Sequence, residues 1–240
     1  MRFWEIDFAR GIAIILMIIF NWSYTLRYFN ILQIDAGWLY WGLFPRFIGS
    51  MFIFVAGISL VLSYKHLKNK KTVYHHNMKR GVWIFSLGML ITLITWLFSP
   101  EIFVRFGILH LIGLSIIIAT PFLKFDKINL ILGSLIILFG SMLQIFAFDF
   151  QWLLWLGFVP KNFITFDYFP IFPWFGFILL GIYFGNRFYN KKRKFSIPNF
   201  SNKFIIKITN FLGRNSLTIY LLHQPLLLFI LFIFGFPLFS

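Results

Sequence analysis

Long apolar runs alternate along this chain with short stretches that gather its lysines, arginines and asparagines. A helix crossing the hydrocarbon of a bilayer needs about 20 apolar residues. Runs of that length predict spanning helices over about 8–29, 38–63, 81–99, 104–123, 128–148, 169–189 and 214–238. The Gln151–Val159 stretch is apolar but too short to span, so it reads as a re-entrant or interfacial piece. Phe204–Leu212 reads as an interfacial helix leading into the last span, with Lys207 at its polar edge. There is no internal repeat and no linker long enough to divide the chain. The pattern therefore predicts one domain over 1–240, an all-α integral membrane helix bundle of about seven transmembrane helices.

Composition narrows this further. Hydrophobic residues make up 60% and charged ones 12%, with a mean hydropathy of +0.83, whereas soluble domains run nearer a quarter charged. The 36 phenylalanines exceed what one hydrophobic core could hide. A water-soluble globule, a disordered tail and a fibrous repeat are excluded. With no cysteine there is no disulfide framework, no thiolate nucleophile and no Cys-ligated metal site.

The formal net charge is +15. On a soluble module that would point to nucleic acid, but here the cations are spread over short loops between apolar runs, as the positive-inside rule produces. Arg2, Arg10, the Lys65–Arg80 stretch, Lys124, Lys127 and the Arg187–Arg214 stretch fall on one side. Only Arg27, Arg46, Arg105 and Lys161 fall on the other. This asymmetry predicts a cytoplasmic amino terminus, an outer carboxyl terminus and a multi-pass protein of the cell membrane without nucleic-acid partners. No small-x-small cleavage site follows Phe20, so the first apolar run reads as a retained helix rather than a signal peptide.

Ionisable groups inside a bilayer are costly and commonly line a cavity or a reaction path. Asn21 falls in the outer half of the first predicted helix, and Arg46 lies some turns into the second. Arg105 and His110 belong to the outer part of the fourth, while His223 and Gln224 fall near the middle of the seventh. Together these predict a polar cavity opening outward. Each also has a plainer role open to it. Either histidine can be an interhelical hydrogen-bonding group, and Arg46 and Arg105 can snorkel to headgroups. Asp7 and Arg10 read as an i,i+3 pair anchoring a helix end. His75 and His76 read as solvated residues of a Lys-rich loop, and Gly181 with Gly185 as a close-packing pair. Pro225 lacks the N–H that would bond Leu221 O, and can bend the helix beside His223. No phosphate loop, HExxH or G-x-S-x-G motif is present.

Five segments, in order, carry a resemblance. They are IDFARGIAIILMIIFN from Ile6, FPRFIGSMFIFVAGISLVLS from Phe44, FGILHLIGLSII from Phe106, DYFPIFPWFGFILLGIYFG from Asp167 and LGRNSLTIYLLHQPLL from Leu212. The chain resembles the heparan-alpha-glucosaminide N-acetyltransferase catalytic-domain family of membrane proteins. That resemblance implies transfer of an acetyl or other acyl group from acetyl-CoA, on the cytoplasmic side, to a glycan or envelope acceptor across the bilayer. In this reading His223, His110 and Asn21 are the catalytic candidates. Arg10, Arg80 and Arg214 would hold the coenzyme's phosphates, and Arg46, Arg105 and Gln224 the acceptor. A near-neutral base deprotonates an attacking amine or hydroxyl, arginines or amides stabilise the oxyanion, and cations hold phosphate. The chain departs from the family's pattern at two positions. Prokaryotic relatives commonly carry a histidine where it has Asn21 and an acidic residue where it has Thr25. Either His110 or His223 then takes the base's role, or this copy has lost acyl transfer. The alternative is a non-catalytic polytopic protein, a small-solute or lipid transporter or a degenerate family member.

Overall fold

In the computed structural model, residues 3–66, 70–189, 200 and 202–236 are described. Arg2, Lys68 and the basic run Lys191–Lys194, which entered the charge count, lie outside them. The described residues form eight α-helices and no strand: α1 Trp4–Tyr28, α2 Phe44–His66, α3 Lys70–Phe98, α4 Ile108–Ala119, α5 Lys127–Leu143, α6 Ile171–Phe188, α7 Phe204–Arg214 and α8 Ser216–Ile233. Each of the seven apolar runs holds one helix, and the Phe204–Leu212 segment forms a helix of its own, α7. Five helices (α1, α2 with the π-helical turn Leu39–Leu43 before it, α3, α6 and α8) are long and apolar enough to cross a membrane. The apolar α4, extended by a 3-10 turn at Thr120–Lys124, and α5 are shorter. The protein is an all-helical membrane protein.

Of the boundaries that differ from the sequence pattern, two have clear physical reasons. α3 starts at Lys70, well before the apolar run begins, so His75 and His76 are exposed on a helix rather than in a loop. No glycine or proline interrupts residues 70–80, and Val73 and Asn77, one turn apart, bury that end of the helix. α4 starts only at Ile108. Before it, Phe106 makes a lone bridge with Tyr168, and Phe169 N–H donates to Phe106 O at 2.8 Å. Arg105 therefore lies in a bend before the helix and shares no helical face with His110.

The chain divides into two compact units, residues 1–52 with 197–240, and residues 53–196. In the first, α1 packs against α7 and α8. The α1–α7 approach is so close that a Cβ on Gly11 would collide with Thr209 O, and one on Gly213 with Asp7 O. In the second, α3 packs on α4 and α5 on α6. The carboxyl-terminal part of α2 meets α6 through Gly57 and Gly181, and a Cβ on Gly185 would lie 3.0 Å from Val61 Cβ. Small residues bring these helices together, as they do where lipid supplies no hydrophobic drive between helices. The outward surfaces are apolar instead: Trp83, Leu90, Leu93 and Leu97 on α3 and Ile131, Leu135, Leu138 and Met142 on α5 are exposed.

Candidate functional site

In the first unit, the α1 and α8 helices bring four polar side chains together. Asn21 and Thr25 are one turn apart on α1; His223 and Gln224 are neighbours on α8, which stays helical through Pro225. His223 Nδ1 lies 2.6 Å from Tyr220 O. A carbonyl oxygen only accepts, so Nδ1 carries the hydrogen and Nε2 is left as the acceptor. Asn21 Nδ2 meets that Nε2 at 3.0 Å, and lies 3.0 Å from Met17 Sδ. Gln224 Nε2 donates to Thr25 Oγ1 at 2.7 Å. Thr25 and His223 are buried. Apolar clusters lie on either side along α1: Ile14, Met17 and Ile48 with Ile219 and Tyr220, and Leu227 and Leu231 with Trp22 and Leu26. The quartet is a polar layer in an apolar helix pair, where unmet hydrogen-bonding groups would be costly.

At the opposite end of α1, Asp7 accepts from Arg10 Nη1 at 3.4 Å and from Arg214 Nε at 3.2 Å. One nearly buried carboxylate is thus shared by two guanidiniums. Arg80 is exposed on α3, in the second unit. Of the three arginines assigned to phosphate, Arg10 and Arg214 share one cluster. Arg46 returns to its own helix start and donates to Gly42 O at 2.8 Å.

His110 lies in the second unit with a different set of partners. Gly107 N–H, at the start of α4, donates to His110 Nδ1 at 3.1 Å. The hydrogen of the ring is therefore on Nε2, which faces Thr92 Oγ1 at 3.4 Å. Thr92 gives its own hydrogen to Val104 O at 2.7 Å, so it meets the imidazole with a lone pair. Phe85 stands edge-on to the ring and Phe106 stacks on it, with centroids at 5.2 and 5.4 Å. Both ring nitrogens are engaged, and the residue is only 2% exposed. Beside it Asp167 Oδ2 accepts from Ile108 N–H at 3.0 Å, an anion at a helix amino terminus. The FGILH and DYFPIFPWF segments are thereby tied at one point. Next to Asp167, Tyr168 donates to Leu154 O at 2.7 Å, and burial pushes its phenol pKa up.

Arg105 sits apart from His110's partners. Its guanidinium lies over Phe103 and Phe163, 5.1 and 5.4 Å from the ring centres, and Nη1 meets Gln151 Oε1 at 3.4 Å. A shallow polar cleft there is also lined by Glu101, Lys161 and Asn162.

Sequence reasoning gave Thr25, Thr92 and Asp167 no role. Thr25 stood out only as a departure, and Thr92 and Asp167 act across contacts 18 and 59 residues away in the chain. No local spacing marks such partners.

No curated protein and no solved structure matches this chain. A family model does, that of heparan-alpha-glucosaminide N-acetyltransferase, catalytic, over residues 2–225. The match takes in α1, the α4 start with His110, the Asp167 segment and α8 as far as Pro225. The chain belongs to the heparan-alpha-glucosaminide N-acetyltransferase catalytic-domain family, whose members are membrane acetyltransferase-like proteins.

Proposed function

We propose that this protein is a multi-pass acyltransferase of the cell membrane that moves an acetyl group from acetyl-CoA to an amine or hydroxyl of a glycan or envelope acceptor, with His223 as the general base. The observation that carries this reading is the tautomer of His223. Tyr220 O holds the Nδ1 hydrogen, and among the described residues the proton-accepting Nε2 meets a side-chain amide, that of Asn21. An acceptor N–H or O–H can take that amide's place. As its nitrogen or oxygen bonds to the acyl carbon, the proton passes to Nε2; the C–S bond then breaks, and the imidazolium gives that proton to the departing thiolate, so the coenzyme leaves as its thiol and the base is regenerated. Asn21, displaced from Nε2, is an amide donor beside the developing oxyanion. Thr25 holds Gln224, which keeps an amide next to the base on the acceptor side.

The same observation disfavours His110 as base. Its acceptor nitrogen receives a backbone N–H from Gly107, the residue that caps α4, and a nucleophile could take its place only if the backbone at that helix start moved. For the donor, the guanidiniums of Arg10 and Arg214 that meet at Asp7 are of the kind that holds phosphate oxygens, with Asp7 as the anion that phosphate would displace. The charge asymmetry of the loops supports placing this cluster on the cytoplasmic side. Arg46 and Arg105 would then lie outside, toward the acceptor.

A second reading has one observation in its favour. Asn21, Thr25, His223 and Gln224 meet one another's hydrogen-bonding groups, which is also how a packing knot in a non-catalytic member would be built. Purified protein given radiolabelled acetyl-CoA and a panel of glycans separates the two. Transfer of label that His223→Gln abolishes supports the enzyme; no transfer to any acceptor, with no thermal shift from the coenzyme at millimolar concentration, supports the packing role.

A further inference from the structure

α7 is built inside out compared with a soluble surface helix. Its polar and small residues face the protein: Thr209 and Asn210 are buried, and Gly213 lies against α1 at Asp7. Its apolar residues face away. Phe204 is 76% exposed, Ile205 75% and Phe211 64%, with Ile208 beside them. Phe204, Ile208 and Phe211 are spaced i, i+4, i+7 and form one stripe. The helix has 11 residues, a length of about 16 Å, too short to span a bilayer.

The charges of this segment are ordered too. Lys203 and Lys207 are one turn apart along one edge of the stripe, both exposed, and Arg214 continues the same edge before turning to Asp7. Residues 200–216 contain no Asp or Glu. At the amino-terminal end, Lys203 Nζ lies 4.8 Å from the centre of the Phe200 ring, and Phe200 meets Trp4 edge-on at 6.5 Å. An aromatic pair thus marks the level at which the cations begin, as aromatic residues do at the headgroup region.

We infer that α7 is an in-plane membrane helix whose stripe enters the acyl boundary and whose Lys203–Lys207 edge selects anionic phospholipid headgroups. Charge complementarity favours this occupant: an all-cationic edge beside an apolar stripe meets an anionic leaflet on both counts. A second copy of this chain would bring the same cations to the contact and repel. The inference stands independently of the acyl-transfer reading, since neither lysine belongs to the proposed site.

The full chain has no cysteine, so Ile208→Cys carries a single nitroxide label without further change; Phe211→Cys serves as a second position. The labelled protein is placed in nanodiscs of phosphatidylcholine alone or mixed with phosphatidylglycerol. Label mobility, access to oxygen against a water-soluble nickel chelate, and competition between spin-labelled forms of the two lipids are read. The expected result is an oxygen-accessible, chelate-protected label and a preference for phosphatidylglycerol that falls with salt. Lys203→Gln with Lys207→Gln should lower that preference, by up to roughly five-fold for each cation removed, with the melting temperature unchanged. A chelate-accessible label at both positions would overturn the inference. So would a lipid preference that neither salt nor the double substitution alters. Dipolar broadening between labels would instead assign the stripe to a second copy and overturn it as well.

Discussion

Two histidines of this chain sit in buried surroundings with both ring nitrogens occupied, yet they hold their hydrogens on opposite nitrogens. His223 donates from Nδ1 to a carbonyl of its own helix and accepts at Nε2 from the Asn21 side chain. His110 accepts at Nδ1 from a backbone N–H and faces Thr92 with Nε2. The difference lies in what would have to move to free the lone pair. At His223 it is one amide rotamer on a neighbouring helix. At His110 it is the first turn of α4, braced by Asp167. A group that exchanges partners by a side-chain rotation suits proton transfer, whereas one whose exchange moves the backbone that caps a helix suits architecture.

The largest expected effect tests that contrast directly. His223→Gln keeps a hydrogen-bonding amide of similar size but removes the basic nitrogen. Acyl transfer should fall about 10² to 10⁴-fold while the melting temperature stays near that of the parent. His110→Gln should do the reverse, losing stability with the folded fraction still turning over. Single-turnover rates measured beside thermal melts distinguish the two, and an inactive but stable His110→Gln would exchange their roles.

Next in size are the residues that brace His110. Thr92→Val removes the lone pair facing Nε2 and the donor to Val104 O, leaving buried polar groups unmet at a cost of about 1–3 kcal/mol. Asp167→Ala removes an anion from the α4 amino terminus, with an expected loss of about 1 kcal/mol. Chemical denaturation in detergent reads both. If either changes the rate of the folded protein by more than a few-fold, the second unit takes part in chemistry and the contrast between the histidines weakens.

These brace residues also show where sequence reading stops. The seven apolar runs and α7 were legible because the bilayer imposes a length and a polarity that single segments display. The start of α4 was not. Apolar character runs on through Val104 and Phe106, and only pairing with the 164–169 segment keeps them extended. The candidate site was legible as residue types: Asn21, His223 and Gln224 are polar where polarity is costly. Their partnership was not, because the hydrogen bonds from α1 to α8 span some 200 residues of chain. Asn21 and Thr25, read from the sequence as departures, are the residues that meet His223 and Gln224. What read as a loss at single positions is, in three dimensions, a pair of hydrogen bonds between α1 and α8.

The Asp7 cluster sharpens the contrast from the donor side. Asp7→Asn keeps the shape but leaves Arg10 and Arg214 without their shared anion. Because the carboxylate competes with phosphate for those donors, the thermal shift produced by acetyl-CoA should grow in Asp7→Asn and shrink in Arg214→Ala. Dephospho-coenzyme A should give a smaller shift than the full coenzyme. Equal shifts in all three proteins would remove this cluster from the donor site while leaving the base assignment untouched.

The smallest effect concerns Thr25, and it asks whether the quartet works as a unit. Thr25→Val preserves the branched shape and takes away only the oxygen that receives Gln224 Nε2 at 2.7 Å. Gln224 is half-buried, so water can replace part of what is lost, and the expected cost is about 0.5–1.5 kcal/mol. If Gln224 merely fills space, that small loss of stability is the whole result. If it orients the acceptor beside His223, KM should rise a few-fold with kcat nearly unchanged, because a uniform binding contact has been removed. Thr25→Ser, which restores the oxygen, should recover most of that KM. A Thr25→Val effect that falls on kcat instead would mean that the Thr25–Gln224 bond holds His223 itself in place. The double variant with Asn21→Ala should then lose less than the sum of the two single losses.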